Sequence, residues 1–200
     1  MQNPDNIAAF RIVTIGQGTV GKSSLILRLV NNTFDEFEAP TIAASFQSYI
    51  RVIHGIKLEM QIWDTAGQER YRSLNQAYYR NASAAIAVFS MTARESLTLL
   101  QKEIELYHSI AGESALVYIA ANKYDLQSEF DVEIKDAVKW AEQNHYKLYF
   151  TSAKSGYNVN QLFNCLAEDL YHLSQSKDIK GVNKNQLIPI SNNAEHSSCC

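Results

Sequence analysis

The sequence predicts an α/β domain: a mostly parallel sheet of six strands, one of them the antiparallel member of a hairpin, with helices on both faces. Three observations carry that reading. Residues 84–89 and 116–121 are short unbroken apolar runs, the form taken by strands buried on both faces of a parallel sheet. From residue 84 onwards such runs alternate with segments of helical period, as right-handed βαβ units do. Near the start, GQGTVGKSS at residues 16–24 lies between an apolar run (Ile12, Val13, Ile15) and a helix-like run (Leu25, Ile26, Leu29, Val30).

Each element follows from local pattern. The run ending at Ile15 is the first strand and the run over 25–30 the first helix, which lapses at Asn31-Asn32. Residues 33–45 mix acids with Phe34, Phe37 and Pro40 and hold no period, so they read as a loop. Two strand-like runs within 46–64 flank His54-Gly55 and predict a hairpin ending in Trp63-Asp64. Residues 65–73 are small and polar, and 74–80 could form a short irregular helix. After the strand at 84 come a helix over 93–111, a strand over 116–122, a helix over 131–144, a strand over 148–151 and a helix over 158–174. The polar stretches near 16–24, 64–70, 122–125 and 151–154 each follow a strand, so they gather at one edge of the sheet, where such sheets bind ligands.

Composition narrows the function. Two hundred residues at 46% hydrophobic can build one core, and the chain divides into an N-terminal extension (1–9), a domain (10–175) and a tail (176–200). A net charge of -3 supplies no basic field, so nucleic acid is not expected as a partner. No apolar run approaches the roughly 20 residues of a membrane span. The opening MQNPDNIAAF lacks the basic and apolar regions of a secretory signal, and the chain is expected in the cytosol. Cys165, Cys199 and Cys200 form neither a disulfide framework nor a paired zinc motif, and the five histidines show no metal-ligand spacing.

In GQGTVGKSS each residue type has a task. Gly16, Gly18 and Gly21 admit close backbone approach, the amides of a loop that includes Thr19, Val20 and Ser24 face phosphates, and the helix start adds partial positive charge. Lys22 would reach the β/γ-phosphates, and the Ser23 hydroxyl would ligate Mg²⁺. The same glycines spell the dinucleotide fingerprint GxGxxG, with Asp35 or Glu38 where a ribose-binding acid could sit, so the loop alone leaves both ligands open. Gly21-Lys22-Ser23 favours a Mg²⁺-triphosphate, because a dinucleotide loop relies on backbone amides.

Downstream, Asp64 is an acid at a strand end placed to hold Mg²⁺, Gly67 offers an N–H to a γ-phosphate, and Gln68 can orient an attacking water. A small-residue turn with a helix N-cap is the plainer reading of that stretch. Asp125 can accept from both N1–H and the N2 amino group of guanine, a donor pair adenine lacks. Facing adenine it would be left unpaired, which enforces selection. Asn122 would brace the loop and the base edge, and the Lys123 stem would cover the base or stand solvated in a turn. The segment holding Ser152, Ala153 and Lys154 would finish the pocket with a backbone N–H toward guanine O6; alone it is a common serine-rich turn.

GQGTVGKSS, Thr41, WDTAGQERY, NKYD and TSAK, in this order and spacing, closely resemble the Ras superfamily of small GTPases over about residues 10–171. Within it the chain is similar to the Rab family, through TIAASF at 41–46, KLEMQIWDTAGQERYRSL from Lys57, YYRNA from Tyr78 and the terminal Cys199-Cys200. TIAASF and AGQERYRSL are most similar to the early-endosomal Rab subgroup. The resemblance implies a single P-loop GTPase domain acting as a GTP/GDP switch with Mg²⁺. Ser23, Thr41 and Asp64 would serve the metal, and Gln68, Lys22 and Thr41 catalysis, with the Thr41 amide sensing the γ-phosphate. Phe34 would pack edge-on to the guanine. Ile42, Phe46, Trp63 and Tyr78 would meet effectors, the last three as the Rab aromatic triad, although core filling also accounts for Trp63.

Segments 33–45 and 67–80 become two switches, ordered with GTP and loose with GDP. Hydrolysis would be slow, on the order of 10⁻⁴ to 10⁻³ per second. Nothing in the chain resembles an internal arginine finger, and the activating proteins of Rabs supply an arginine, and often a glutamine, in trans. Other implied partners are an exchange factor, effectors, a Rab escort protein and a dissociation inhibitor. The last two would grip Leu187-Ile188-Pro189-Ile190, although a tail with incidental aliphatics also accounts for it. Geranylgeranyl groups on Cys199 and Cys200 would anchor a monomeric switch to the cytoplasmic face of early endosomes or related vesicles, cycling with the cytosol. Ala43 and Asn81 replace glycines of the Rab pattern and Ser90 an aspartate; Asn81 tolerates a left-handed conformation and should keep its turn. A nucleotide-binding scaffold without turnover, a P-loop kinase and a dinucleotide oxidoreductase are the competing readings.

Overall fold

The computed structural model describes residues 7–39, 41, 44–65, 67 and 72–175, with 72–74 as backbone only. Alternation along β1 (Ile7–Ile15) divides the interior: Phe10 and Ile12 join one core, Val13 and Ile15 another on the opposite face. β4 (Ala84–Ser90) and β5 (Leu116–Asn122) do the same, with Ile86 and Tyr118 on one side and Phe89 and Ile119 on the other. Both pleat faces are dry, which is why these two strands read as unbroken apolar runs. Leu25, Ile26 and Leu29 of α1 (Lys22–Asn31) and Leu162, Phe163 and Leu166 of α5 (Val159–Gln175) close the first core. Tyr79 of α2 (Arg72–Tyr79), Leu100, Ile104 and Tyr107 of α3 (Arg94–Ala111) and Ala137 of α4 (Ile134–Gln143) close the second.

With β2 (Ser45–Ile53), β3 (Ile56–Asp64) and β6 (Lys147–Phe150) the sheet runs β2-β3-β1-β4-β5-β6. β2 and β3 pair antiparallel and every other neighbour is parallel, the architecture the sequence predicts. β3 buries Leu58, Met60 and Ile62 only on its α5 side, hence its alternating pattern. The hairpin turns at His54 and Gly55, both left-handed (φ 48° and 80°), the pairing that matches the twist of the flanking strands. Its register sets Phe46 opposite Trp63 and Ser45 opposite Asp64.

Several boundaries shift from the sequence reading, and two of the shifts have a clear physical cause. β1 begins at Ile7 and takes in residues assigned to an N-terminal extension, because β3 is long enough to pair Lys57–Glu59 with them. α4 begins at Ile134, not at 131, because the N–H groups of Asp131 and Val132 are drawn to the Met91 carbonyl. The Asp131 carboxylate instead accepts from the Arg94 N–H at 2.7 Å, so a residue expected inside one helix caps another. Asn81 is left-handed (φ 62°) and the turn persists, as expected. Among the described residues no helix is long and apolar enough to cross a membrane.

Candidate functional site

Described residues of all four polar stretches converge at the strand ends around a cavity of about 500 Å³. Gly18, Thr19, Gly21, Lys22, Ser23 and Ser24 line one end, Asn122, Lys123, Asp125, Ala153 and Lys154 the other, and Phe34, Thr41 and Gly67 the wall between. Gly16, Val20 and Ser152 stand behind this lining, as does buried Asp64. Gln68 and Ile42 lie outside the described residues, as do Cys199 and Cys200.

At the first end, Gly16 and Gly21 hold φ of 130° and 95°, and a Cβ on either would run into the Val88 carbonyl oxygen or the Asn122 side-chain amide. Only glycine fits both demands. Lys22 is buried, and its Nζ donates to the Gly16 and Gln17 carbonyls at 3.1 and 2.9 Å. Burial lowers its pKa to about 8, against the opposing pull of the Asp64 carboxylate. A dehydrated ammonium held this way is poised for a polyanion. Gly67 rests on the same loop, so close that a Cβ would strike Lys22 Nζ and the Gln17 backbone.

Ser23 Oγ and Thr41 Oγ1 are 2.8 Å apart, and the Thr41 hydroxyl also reaches Asp64 Oδ2 at 3.5 Å. Thr14 donates to the other Asp64 oxygen at 3.2 Å and accepts from the Thr65 N–H at 3.2 Å, fixing the end of β3 against β1. Burial raises the Asp64 pKa, while the Ser23, Thr14 and Thr41 hydroxyls and the Lys22 charge oppose it. One carboxylate and two hydroxyls, without nitrogen or sulfur, suit a hard cation such as Mg²⁺. Among the described residues no three His, Cys, Asp or Glu side chains gather into an alternative metal site.

At the second end, Ser152 Oγ donates to Asp125 Oδ1 at 2.6 Å and accepts from the Ser155 N–H at 3.0 Å. Buried Asn122 donates to the Val20 carbonyl at 2.9 Å, and its Oδ1 accepts from the Ala153 N–H at 3.2 Å. It therefore ties the phosphate loop to the second loop. The part of its expected role that braces the loop is thus visible in these two backbone bonds, which use one of its two amide hydrogens. The Ala153 N–H is likewise turned to Asn122. Lys123 is left-handed (φ 62°), which brings the Tyr124 N–H to the Thr151 carbonyl at 3.0 Å.

Sequence reasoning missed two residues here. Thr14 was detectable as the polar residue within the apolar run of β1. Arg28 of α1 had no such signal, yet it donates to the Ala153 and Lys154 carbonyls at 2.7 and 2.8 Å. Away from the cavity, Phe46, Trp63 and Tyr78 do meet. The first two rings stand edge to face with centroids 5.3 Å apart, and Trp63 stacks on Tyr78 at 5.0 Å.

A cavity with a buried lysine at one end and a carboxylate-tipped loop at the other separates phosphates from a base, and strand ends that present it this way define a P-loop nucleotide-binding protein. The Ras family model matches residues 11–172, so the chain belongs to the Ras family. It is thus a small GTPase, a GTP-binding hydrolase, and the dinucleotide reading of the loop gives way.

Proposed function

We propose that the chain is a Rab-type GTP/GDP switch of endocytic membrane traffic, slow in hydrolysis alone and accelerated by an activating protein. The observation that carries the switch is the 2.8 Å meeting of Thr41 with Ser23 beside Asp64, which brings a loop outside the sheet onto the phosphate loop. A contact of that kind can be made or lost with one phosphate.

Ser23, Thr41 and Asp64 would hold Mg²⁺, whose contribution when bound is to offset charge on the β- and γ-phosphate oxygens. Lys22 and the loop amides hold the triphosphate, and the Gly67 N–H donates to the γ-phosphate. Gln68 orients the water whose oxygen attacks phosphorus as the bond to the β-phosphate oxygen breaks. Losing phosphate then releases Thr41 and Gly67 together.

The Rab reading is supported by the sequence resemblance and by the contact among Phe46, Trp63 and Tyr78, with Phe46 46% exposed and open to an effector. In this reading the GTPase domain spans about 7–175, with β1 included from its first residue. The tail over 176–200 carries two geranylgeranyl groups on Cys199 and Cys200 and is handled by an escort protein and a dissociation inhibitor. An exchange factor loads GTP at an early-endosomal membrane.

Purified protein given Mg²⁺ with GTP, ATP or NAD tests the core of this. Tight GTP binding and single-turnover phosphate release on the order of 10⁻⁴ to 10⁻³ per second are expected, slower in Gln68→Leu. ATP bound as tightly as GTP would sink the guanine reading, and GTP bound without turnover would leave a scaffold. In cells, a chain lacking Cys199 and Cys200 should be diffuse; retained membrane association would refute the anchor.

A further inference from the structure

We infer that Arg28 is a positioning residue for nucleobase discrimination, setting the aim of Asp125 through a relay of backbone and hydroxyl groups. The inference rests on the guanine reading of Asp125 above.

Arg28 lies on α1, the helix that opens with Lys22. Its Nε donates to the Ala153 carbonyl at 2.7 Å and its Nη2 to the Lys154 carbonyl at 2.8 Å. Its Nη1 donates to Asn32 O and Oδ1 at 2.8 and 3.1 Å, which ties the guanidinium to the end of α1. A planar fork serving two successive carbonyls fixes the orientation of both peptide planes, which a flexible ammonium cannot do.

Those orientations matter because a trans peptide points its N–H opposite to its C=O. The peptide whose carbonyl belongs to Lys154 carries the Ser155 N–H. Drawn toward Arg28 on one side, it donates on the other to Ser152 Oγ at 3.0 Å. With its lone pair so engaged, the Ser152 hydroxyl directs its hydrogen to Asp125 Oδ1 at 2.6 Å. The neighbouring peptide, its Ala153 carbonyl also drawn to Arg28, directs the Lys154 N–H away from the arginine by the same rule. Phosphate-binding helix and base-reading carboxylate are thus joined by three consecutive hydrogen bonds, and Arg28 is the only member of that relay on α1.

The test compares GDP with IDP, whose base lacks the 2-amino group that Asp125 would accept from. Dissociation constants in Mg²⁺ and melting temperatures are measured for the wild type, Arg28→Met and Arg28→Lys. The wild type should favour GDP. In Arg28→Met the GDP affinity should fall about tenfold while IDP falls less, so that the ratio contracts, and Arg28→Lys should recover part of it. A role in stability alone would lower the melting temperature and weaken both nucleotides by one factor, which overturns the inference, as does an unchanged ratio. Should Arg28→Met not fold, Arg28→Lys decides: a ratio below wild type supports the relay, and a wild-type ratio overturns it. Equal binding of GDP and IDP by the wild type would instead remove the Asp125 reading on which the inference stands.

Discussion

Asp64 ends β3 and Asp125 lies just past β5, and their surroundings give them different work. Asp64 is 4% exposed among three hydroxyls and a lysine, so its charge is costly unless a cation shares it. Asp125 stands at the exposed rim with Ser152 on one oxygen. Ser152→Ala should therefore loosen the carboxylate and weaken GDP binding about tenfold in a competition assay, since a bond to a charged acceptor is worth roughly 1.5–3 kcal/mol. Wild-type affinity in that variant would show that Asp125 is held some other way. Asp125→Asn should move preference toward xanthosine nucleotides, because a carboxamide can donate to the xanthine oxygen; unchanged GTP selectivity refutes it. Both acids were legible in the sequence because each lies in a recognisable motif, Asp64 at the last position of β3 and Asp125 three residues past β5. Arg28 was not, because an arginine on an amphipathic helix reads as a solvated residue until its acceptors are known.

At the scale of elements, the ends of β5, β6 and α5 remote from the cavity are clasped by a polar cluster. Tyr118 of β5 donates to Asp169 Oδ2 of α5 at 2.5 Å and Lys147 of β6 donates to the same oxygen. Burial alone would raise the Asp169 pKa, but the bonds from Lys147 and Tyr118 and the lysine charge outweigh it and hold the carboxyl below its usual range. A carboxyl depressed in the folded state contributes stability above the unfolded pKa of about 4, lost as pH falls through the lower folded value. Asp169→Asn should accordingly lower the urea midpoint at pH 7 and show a shallower decline between about pH 5 and 3. Parallel decline in both proteins would remove Asp169 from the acid response. The hairpin, α3 and α5 were close to their predicted bounds because their periods are strong. The start of α4 was missed because Asp131 serves α3, a partnership outside its own segment.

In the whole molecule, the start of α1, the loop bearing Thr41 and the end of β3 bring the Ser23, Thr41 and Asp64 oxygens together, so a cation there would link three segments distant in sequence. Adding EDTA to the GDP-bound protein should speed GDP release by at least about tenfold and lower its melting temperature. A release rate indifferent to EDTA would rule out a shared metal. The sequence by itself determined the order of strands and helices, which strands are buried on both faces, and that the motif loops collect at one edge, because hydrophobic period and motif chemistry are local. Only the tertiary structure decided which groups meet: Thr14 with Asp64 across 50 residues, Arg28 with Lys154 across 126, and Asn122 with the backbone of both Val20 and Ala153. Those pairings depend on strand register and on how each helix seats against the sheet, distances set by the packed core and written in no single segment of the chain.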